Sequence, residues 1–514
     1  MTHRILALLA AVVLLFGGCR RTVVSDQQFD IAAQRAQASA PARRQEQSEE
    51  PLTTLSLAYS VSDSLNPFLM KTQMNRMLIP LLYDSLTGVD KTWRPQNILA
   101  EEITVENKLC TVKLRSGIVF SDGSPLTGKD VIYSITTAMA SDTDWKTTLQ
   151  NISGCSVNDD GAVEIRLYSS DADFAALLSF PIVKEGTAAD DYPVGVSKYF
   201  VSGTWGGSGV TLARNPIYWN PQSVGSVETI RLANVSDPDA LSFSLRTGDI
   251  DLMYSDLSDG DFAFSAASGV PVSLNSLVYI GVNGNRGLLS EAQFRQALSL
   301  AINRDELVAK AYLTHARATL YPFNPEFYRM EELELSTPRE LARAEELLAG
   351  MGLTQKDENG YRLRNGQPVT LRLLVNSENA CRNAAATLLA EQLRQLGVQV
   401  TVESQSFTQY QASLSRRDYD LYIGETRLMD NMDFSVLLSG GALSYSTPYI
   451  ESLSELYGSY RSTGAGIGTF CEAFAEQSPF IPLVFRQGQV SFNRSFDAQI
   501  VATEQNLFYN LSEW

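Results

Sequence analysis

Between Leu371 and Gly424 the chain alternates in a way that few folds accommodate. Leu371 to Val375 is an apolar run of strand length. Ala380 to Leu396 reads as a helix closed by Gly397, Val398 to Val402 as the next strand, and Asp420 to Gly424 as a third. Strand, helix and strand in this order make a βαβ unit and predict a parallel sheet. Sheets of this kind bind ligands beyond the carboxyl ends of their strands.

A chain of 514 residues is too long for one core, so two or three domains are expected. Folding is expected to begin near Leu52. Thr54 to Tyr59 alternates with period two and reads as a strand, and residues 109–120, 162–168 and 210–214 give further short strands. In Glu291 to Ile302, the residues Phe294, Ala297, Leu298, Ala301 and Ile302 fall on one helical stripe. Asn303 with Glu306 has the spacing of a capping box, and Thr337-Pro338-Arg339-Glu340 predicts a helix start that Gly350 or Gly352 ends. There is no internal repeat.

The N-terminus decides location. Arg4 precedes a twelve-residue apolar run, Ile5 to Phe16, which ends in Gly17-Gly18-Cys19. At about 1.5 Å per residue the run spans only about 18 Å of a roughly 30 Å hydrocarbon slab, which suits a signal and not a membrane span. The stretch resembles a bacterial lipoprotein signal over residues 1–18, with Cys19 the acylated, palmitate-bearing N-terminus of the mature chain. An ordinary secretory signal with an incidental Cys19 is the alternative; either places the protein outside the cytoplasm. Residues 19–51, with Ala38-Ser39-Ala40-Pro41 and Ser48-Glu49-Glu50-Pro51, read as a tether reaching about 30 Å. A short amphipathic helix around Phe29 to Ala36 is the competing reading.

The full chain carries a net charge of −17, which argues against nucleic acid as a partner. Cys110, Cys155, Cys381 and Cys471 contain no CxxC pair, so a structural zinc site is not expected. Cys110 and Cys155 are the more plausible disulfide pair, with four separate thiols equally open. His315 is the one histidine after the leader, which removes most metal sites and any Ser-His-Asp triad that does not use it. No metal or cofactor is expected. Gly123 to Asp130 nearly spells a phosphate-binding loop, but Asp130 stands where a hydroxyl is needed; Thr127 and Asp130 read better as the cap and first-turn acid of a helix over 128–139.

This stretch also carries a family resemblance. Leu114-Arg115-Ser116-Gly117, Phe120 to Thr127 and Asp130-Val131-Ile132-Tyr133-Ser134 resemble the signature of the dipeptide/oligopeptide-binding proteins. These form family 5 of the bacterial extracellular solute-binding proteins, receptors of ABC importers. Ser64-Leu65-Asn66-Pro67, Arg214 to Trp219, Gly248-Asp249-Ile250-Asp251, Phe294 to Leu298 and Ala301 to Arg304 continue the series in order over residues 52–514.

The resemblance implies an α/β fold of the two-lobed periplasmic-binding-protein type (type II, the large class with an extra inserted domain). Lobe I would comprise 52–84, 186–284 and 480–514, the inserted subdomain 85–185, and lobe II 285–479. Asp430-Asn431-Met432-Asp433 is similar to the motif whose first Asp meets a peptide ammonium. Asp430 is therefore expected either to do so or to cap a short helix, Phe434 to Leu438. Arg427 would pair a ligand carboxylate or neutralise Glu425. Tyr279 and Asn283 line the cleft or are structural, and Asn66 joins the candidate ligand contacts.

Two functions remain. The first is a lipid-anchored receptor delivering peptides, or another small polar solute such as a sugar or nickel chelate, to a membrane permease, with no chemistry of its own. The second is an exported sensor or hydrolase on the same scaffold. Its acid pairs would be Asp171/Asp173 and Asp249/Asp251, which spacing alone reads as solvated faces.

Overall fold

Two long strands, Gly269–Val282 and Ile481–Phe492, organise the molecule. The computed structural model describes residues 52–514 except 207–208, 236, 259–268, 494–495 and 497. The leader, Cys19, the tether and the possible Phe29–Ala36 helix lie outside the described residues. The long strands pair antiparallel, with a register shift between Ser273 and Leu277. Before the shift, Ser491 to Gln487 face Gly269 to Ser273, and Ile481–Phe492 also pairs with Leu252–Ser255. Beyond it, Ser276 to Val282 pair with Leu421–Arg427. One sheet of eleven strands therefore runs through both lobes.

Each lobe builds its own parallel layer on that spine. In the first, Thr54–Tyr59 lies parallel to Thr229–Asn234 and to Leu252–Ser255. In the second, Thr370–Asn376 lies parallel to Gln399–Gln405 and to Leu421–Arg427, as the βαβ pattern predicts. The crossover helix Ala380–Gln395 starts where the Asn379 side chain accepts from Arg382 N–H, and it stops at Gly397, whose φ of +86° suits glycine. The first core joins Leu55, Leu57, Leu212, Ile230 and Val272, the second Ile280, Leu298, Leu389, Ile423 and Leu483. Residues 278–282 and 481–484, expected in lobe I, pack in the second core, because both long strands change lobes midway.

The inserted segment forms a four-stranded antiparallel sheet, Ala100–Glu106, Leu109–Leu114, Val163–Leu167 and Ile152–Val157. Helix Gly128–Ala140 packs beside it. Both Thr127 N–H and Thr127 Oγ1–H donate to the Asp130 carboxylate, so the loop-like sequence is a helix start. The insert's Val112, Phe120 and Ile135 share the first lobe's core. It also reaches the second lobe, where Val89, Trp93 and Ala176 join an aromatic core around Phe323, Phe434 and Phe470. Asp173 bonds Arg329 at 2.7 Å and Asp171 bonds Arg461 at 2.7 Å. These aspartates are 4% and 2% exposed, which corrects the expectation of solvated faces.

Two helix starts differ from the sequence patterns. Asn303 caps Arg304–Lys310 by accepting from Glu306 N–H, but Gln392 takes the Asn303 N–H that Glu306 would have bound. The helix expected from Thr337 begins at Leu341. Arg339 is drawn instead to the Ala301 carbonyl, and Glu340 N–H to that of Leu300.

All four cysteines of the described residues are free. Cys110 and Cys155 both sit opposite Ile165, one on each side of it. Two strand spacings, about 10 Å, separate them, beyond the roughly 7 Å that a disulfide spans. Alkylation in denaturant without reductant should therefore label Cys110, Cys155, Cys381 and Cys471 completely; a cross-linked Cys110–Cys155 peptide would contradict this register.

Candidate functional site

The carboxyl ends of the two parallel layers meet beside the crossing strands. Glu425 and Arg427, two apart on Leu421–Arg427, share a strand face. Glu425 accepts from Arg486 Nε at 2.5 Å and lies 3.8 Å from Arg382 Nε. Arg486 Nη1 also donates to the Asp256 carbonyl, at 2.6 Å, which ties the second lobe to the end of a first-lobe strand. The Asn379 side chain bridges similarly to the Ser258 carbonyl. Among the described residues, Arg382 Nε has no hydrogen-bond acceptor.

Arg427 does not neutralise Glu425. Its Nε stands 3.0 Å from Oε1 of Glu504, from the C-terminal tail, while its side chain stays 57% exposed. Oε2 of Glu504 accepts from Asn275 N–H at 2.9 Å. The neighbouring Gln505 donates to Oδ1 of Asp430 at 2.5 Å. Burial, then the like charge of Glu504, pushes the Asp430 carboxyl up to about 7, against the pull of Arg427 and Gln505. Asp430 caps no helix: only a single turn, Ser435–Leu437, follows, and Asp433 accepts from its Ser435 N–H.

A cavity of 420 Å³ opens at the carboxyl ends of Thr54–Tyr59 and Leu252–Ser255. Leu57, Met74, Met77, Met253, Tyr254 and Phe508 are among its walls. Asp256, whose carbonyl accepts from Arg486, borders it, as do Leu507 and Phe508 of the C-terminal tail, whereas Glu504 and Gln505 of the same tail line a second cavity, of 290 Å³. Burial, then the charges of Glu504 and Asp256, raises the Tyr254 phenol well above its ordinary value.

The remaining expected ligand contacts are structural. Asn66 is buried, its amide donating to the carbonyls of Ala188 and Asp190. Asn283 is buried and donates to the Arg417 and Tyr419 carbonyls. Asn431 is buried between Asp171, which accepts from its amide at 2.7 Å, and Arg461, which donates to its carbonyl at 2.8 Å. Asp433 accepts from the Tyr457 hydroxyl. Tyr279 is buried in the aromatic core, edge-on to Tyr422 and Phe480, and its ring has room because Gly424 stands opposite it; a Cβ there would come within 2.6 Å of that ring. Of the expected residues, Asp430, Arg427 and Glu425 are the ones that stand in the charged cluster at the meeting strand ends. Sequence reasoning missed Glu504, Gln505, Arg486, Arg382 and Tyr254. No local signal marks the tail residues: Glu504 and Gln505 sit in the polar run Thr503 to Asn506.

The sequence model of bacterial extracellular solute-binding proteins, family 5 Middle, matches residues 94–441. The chain belongs to this family. It is 28% identical over 348 residues to protein XP55 of Streptomyces lividans, covering 63% of this chain and 61% of that one. The chain thus spans about three fifths of that curated relative's length. Its fold matches the unliganded open form of MppA, a periplasmic murein tripeptide binding protein, at a TM-score of 0.73 and 17% identity over 90% of this chain and 96% of that one. A nickel ABC transporter structure from Bacillus halodurans matches equally, at 0.73 and 18% identity over 89% and 98%. The two-lobed periplasmic-binding-protein fold is therefore the family's, and these likenesses speak to fold alone.

In this family 5 protein the raised Asp430 carboxyl has a stability consequence. Folded Asp430 holds its proton up to about pH 7, whereas an unfolded Asp releases it near 3.9. The folded state thus binds more protons between these values, and Asp430's contribution to stability falls as pH rises through that window. Asp430→Asn should gain about 2–3 kcal/mol relative to wild type between pH 5 and pH 8. Urea unfolding at both pH values measures this, and a pH-independent difference would contradict the assignment.

Proposed function

We propose that this protein is a lipid-anchored receptor that captures peptides in the interlobe cleft and delivers them to an ABC permease in the membrane. One observation carries the reading: Asp430, Glu504 and Arg427 gather at the meeting strand ends, where Glu504 lines a 290 Å³ cavity and Leu507 and Phe508 of the same tail line one of 420 Å³. An arriving ammonium relieves the repulsion between Asp430 and Glu504 and forms a charge-assisted hydrogen bond there. The exposed Arg427 head and Arg382 Nε, which lacks a hydrogen-bond acceptor though Glu425 lies 3.8 Å away, offer donors to the ligand's carboxylate and carbonyls. The reading asks for no bond to be made or broken. Differential affinity for the closed state is the whole mechanism, and release to the permease completes it.

The likeness to a murein tripeptide binding protein supports a peptide cargo, and the equal likeness to a nickel transporter makes a metal chelate the outcome to test against. Cys19 would carry the lipid that holds the receptor at the extracytoplasmic face of the membrane.

Native mass spectrometry of gently purified protein should release a set of short peptides; a sugar or metal chelate in their place would overturn the cargo. Asp430→Ala should abolish peptide-induced thermal stabilisation without lowering the melting temperature of the unliganded protein. Equal loss in both would make Asp430 a structural residue. Cys19→Ser should move the protein from the membrane to the soluble fraction in its native host, and unchanged membrane retention would refute the anchor.

A further inference from the structure

We infer that the solute carries a bulky apolar side group, which seats in the cavity of the first lobe while its cationic end meets Asp430. This rests on the peptide reading above and adds the class of peptide selected. The cavity measures 420 Å³, and Leu57, Met74, Met77, Leu241, Met253 and Phe508 supply its apolar wall. A cavity of about 150 Å³ lined by Leu, Ile and Phe already admits benzene, so this one has room for a leucine or an aromatic side chain.

Polar groups also border the cavity, and most of them are engaged by their own backbone. The Asp237 side chain accepts from Ala240 N–H as a helix cap, and Asp256 accepts from Ser258 N–H. Ser255 Oγ accepts from Leu257 N–H, and Thr72 donates to Asp63 while accepting from Asn75 N–H. A polar ligand side chain entering here would lose water and find few free partners, whereas an apolar one is favoured by burial. Three methionines in one wall suit this task, since an unbranched, polarizable thioether adjusts to apolar groups of different shape. Tyr254 joins the two halves of the site. It lines the cavity beside Asp256, whose carbonyl accepts from Arg486, and the cavity's Leu507 and Phe508 follow closely on Gln505, which donates to Asp430. One ligand can therefore hold its ammonium at the charged cluster and drop an adjacent side chain into the cavity.

Isothermal titration calorimetry of the full chain with trileucine, triserine and trilysine tests this. Trileucine should bind at least about 10-fold more tightly than either polar tripeptide. Met74→Gln and Met77→Gln, two half-buried positions changed independently in case one fails to fold, should each bring that ratio below about three. Equal affinity for all three peptides would overturn the inference and leave the peptide reading standing. A wild-type preference that both variants retain would place the apolar subsite elsewhere and overturn it as well. Binding of none of the three would overturn the peptide reading, and this inference with it.

Discussion

The structure depends on the pairing of Gly269–Val282 with Ile481–Phe492. Two segments two hundred residues apart zip together along the molecule and change lobes at the same level. The other strands of the main sheet are laid out on either side of this ladder. The register shift between Ser273 and Leu277 marks the level of the change. An irregularity there increases local twist and loosens the ladder at the level where the strands change lobes.

The same crossing concentrates charge. Glu425, Arg486, Arg427, Glu504 and Asp430 all lie on strands of the crossing or on the segments that leave it. Buried ion pairs contribute little net stability once desolvation is counted, so this cluster is better understood through binding than through folding. Asp171 and Asp173 play the structural counterpart. They seat the insert on the second lobe and, through Asn431, immobilise the residue next to Asp430. A carboxyl proposed to meet a ligand gains precision when its neighbour is pinned from both sides.

What local chemistry determines was readable from the chain alone. The strand Thr54–Tyr59, the stripe of Ala292–Ala301, the βαβ unit and the Thr127–Asp130 cap rest on period, spacing and residues three apart. Site residues were harder, because an asparagine declares no partner. Asn66 bonds carbonyls more than a hundred residues away, and Asn283 bonds the end of a helix on another segment. Tyr279 reads as an amphipathic strand residue until Gly424 is seen opposite it. Glu504 was invisible for the same reason: only the return of the chain through both lobes brings it to Arg427. Asp430 was legible by its motif, and its raised proton affinity was not, since that property belongs to the pair it makes with Glu504.

The central claim is that an unaltered solute sits where the two sets of strand ends face each other. A crystal structure of the protein isolated with its natural cargo tests this most directly. The account predicts intact ligand density in contact with Asp430 and in the cavity bordered by Tyr254 and Met253. Density confined to the second cavity, the 290 Å³ space lined by Trp93, Gln487 and Glu504, with no contact to Asp430, or a cargo cleaved in place, would contradict it.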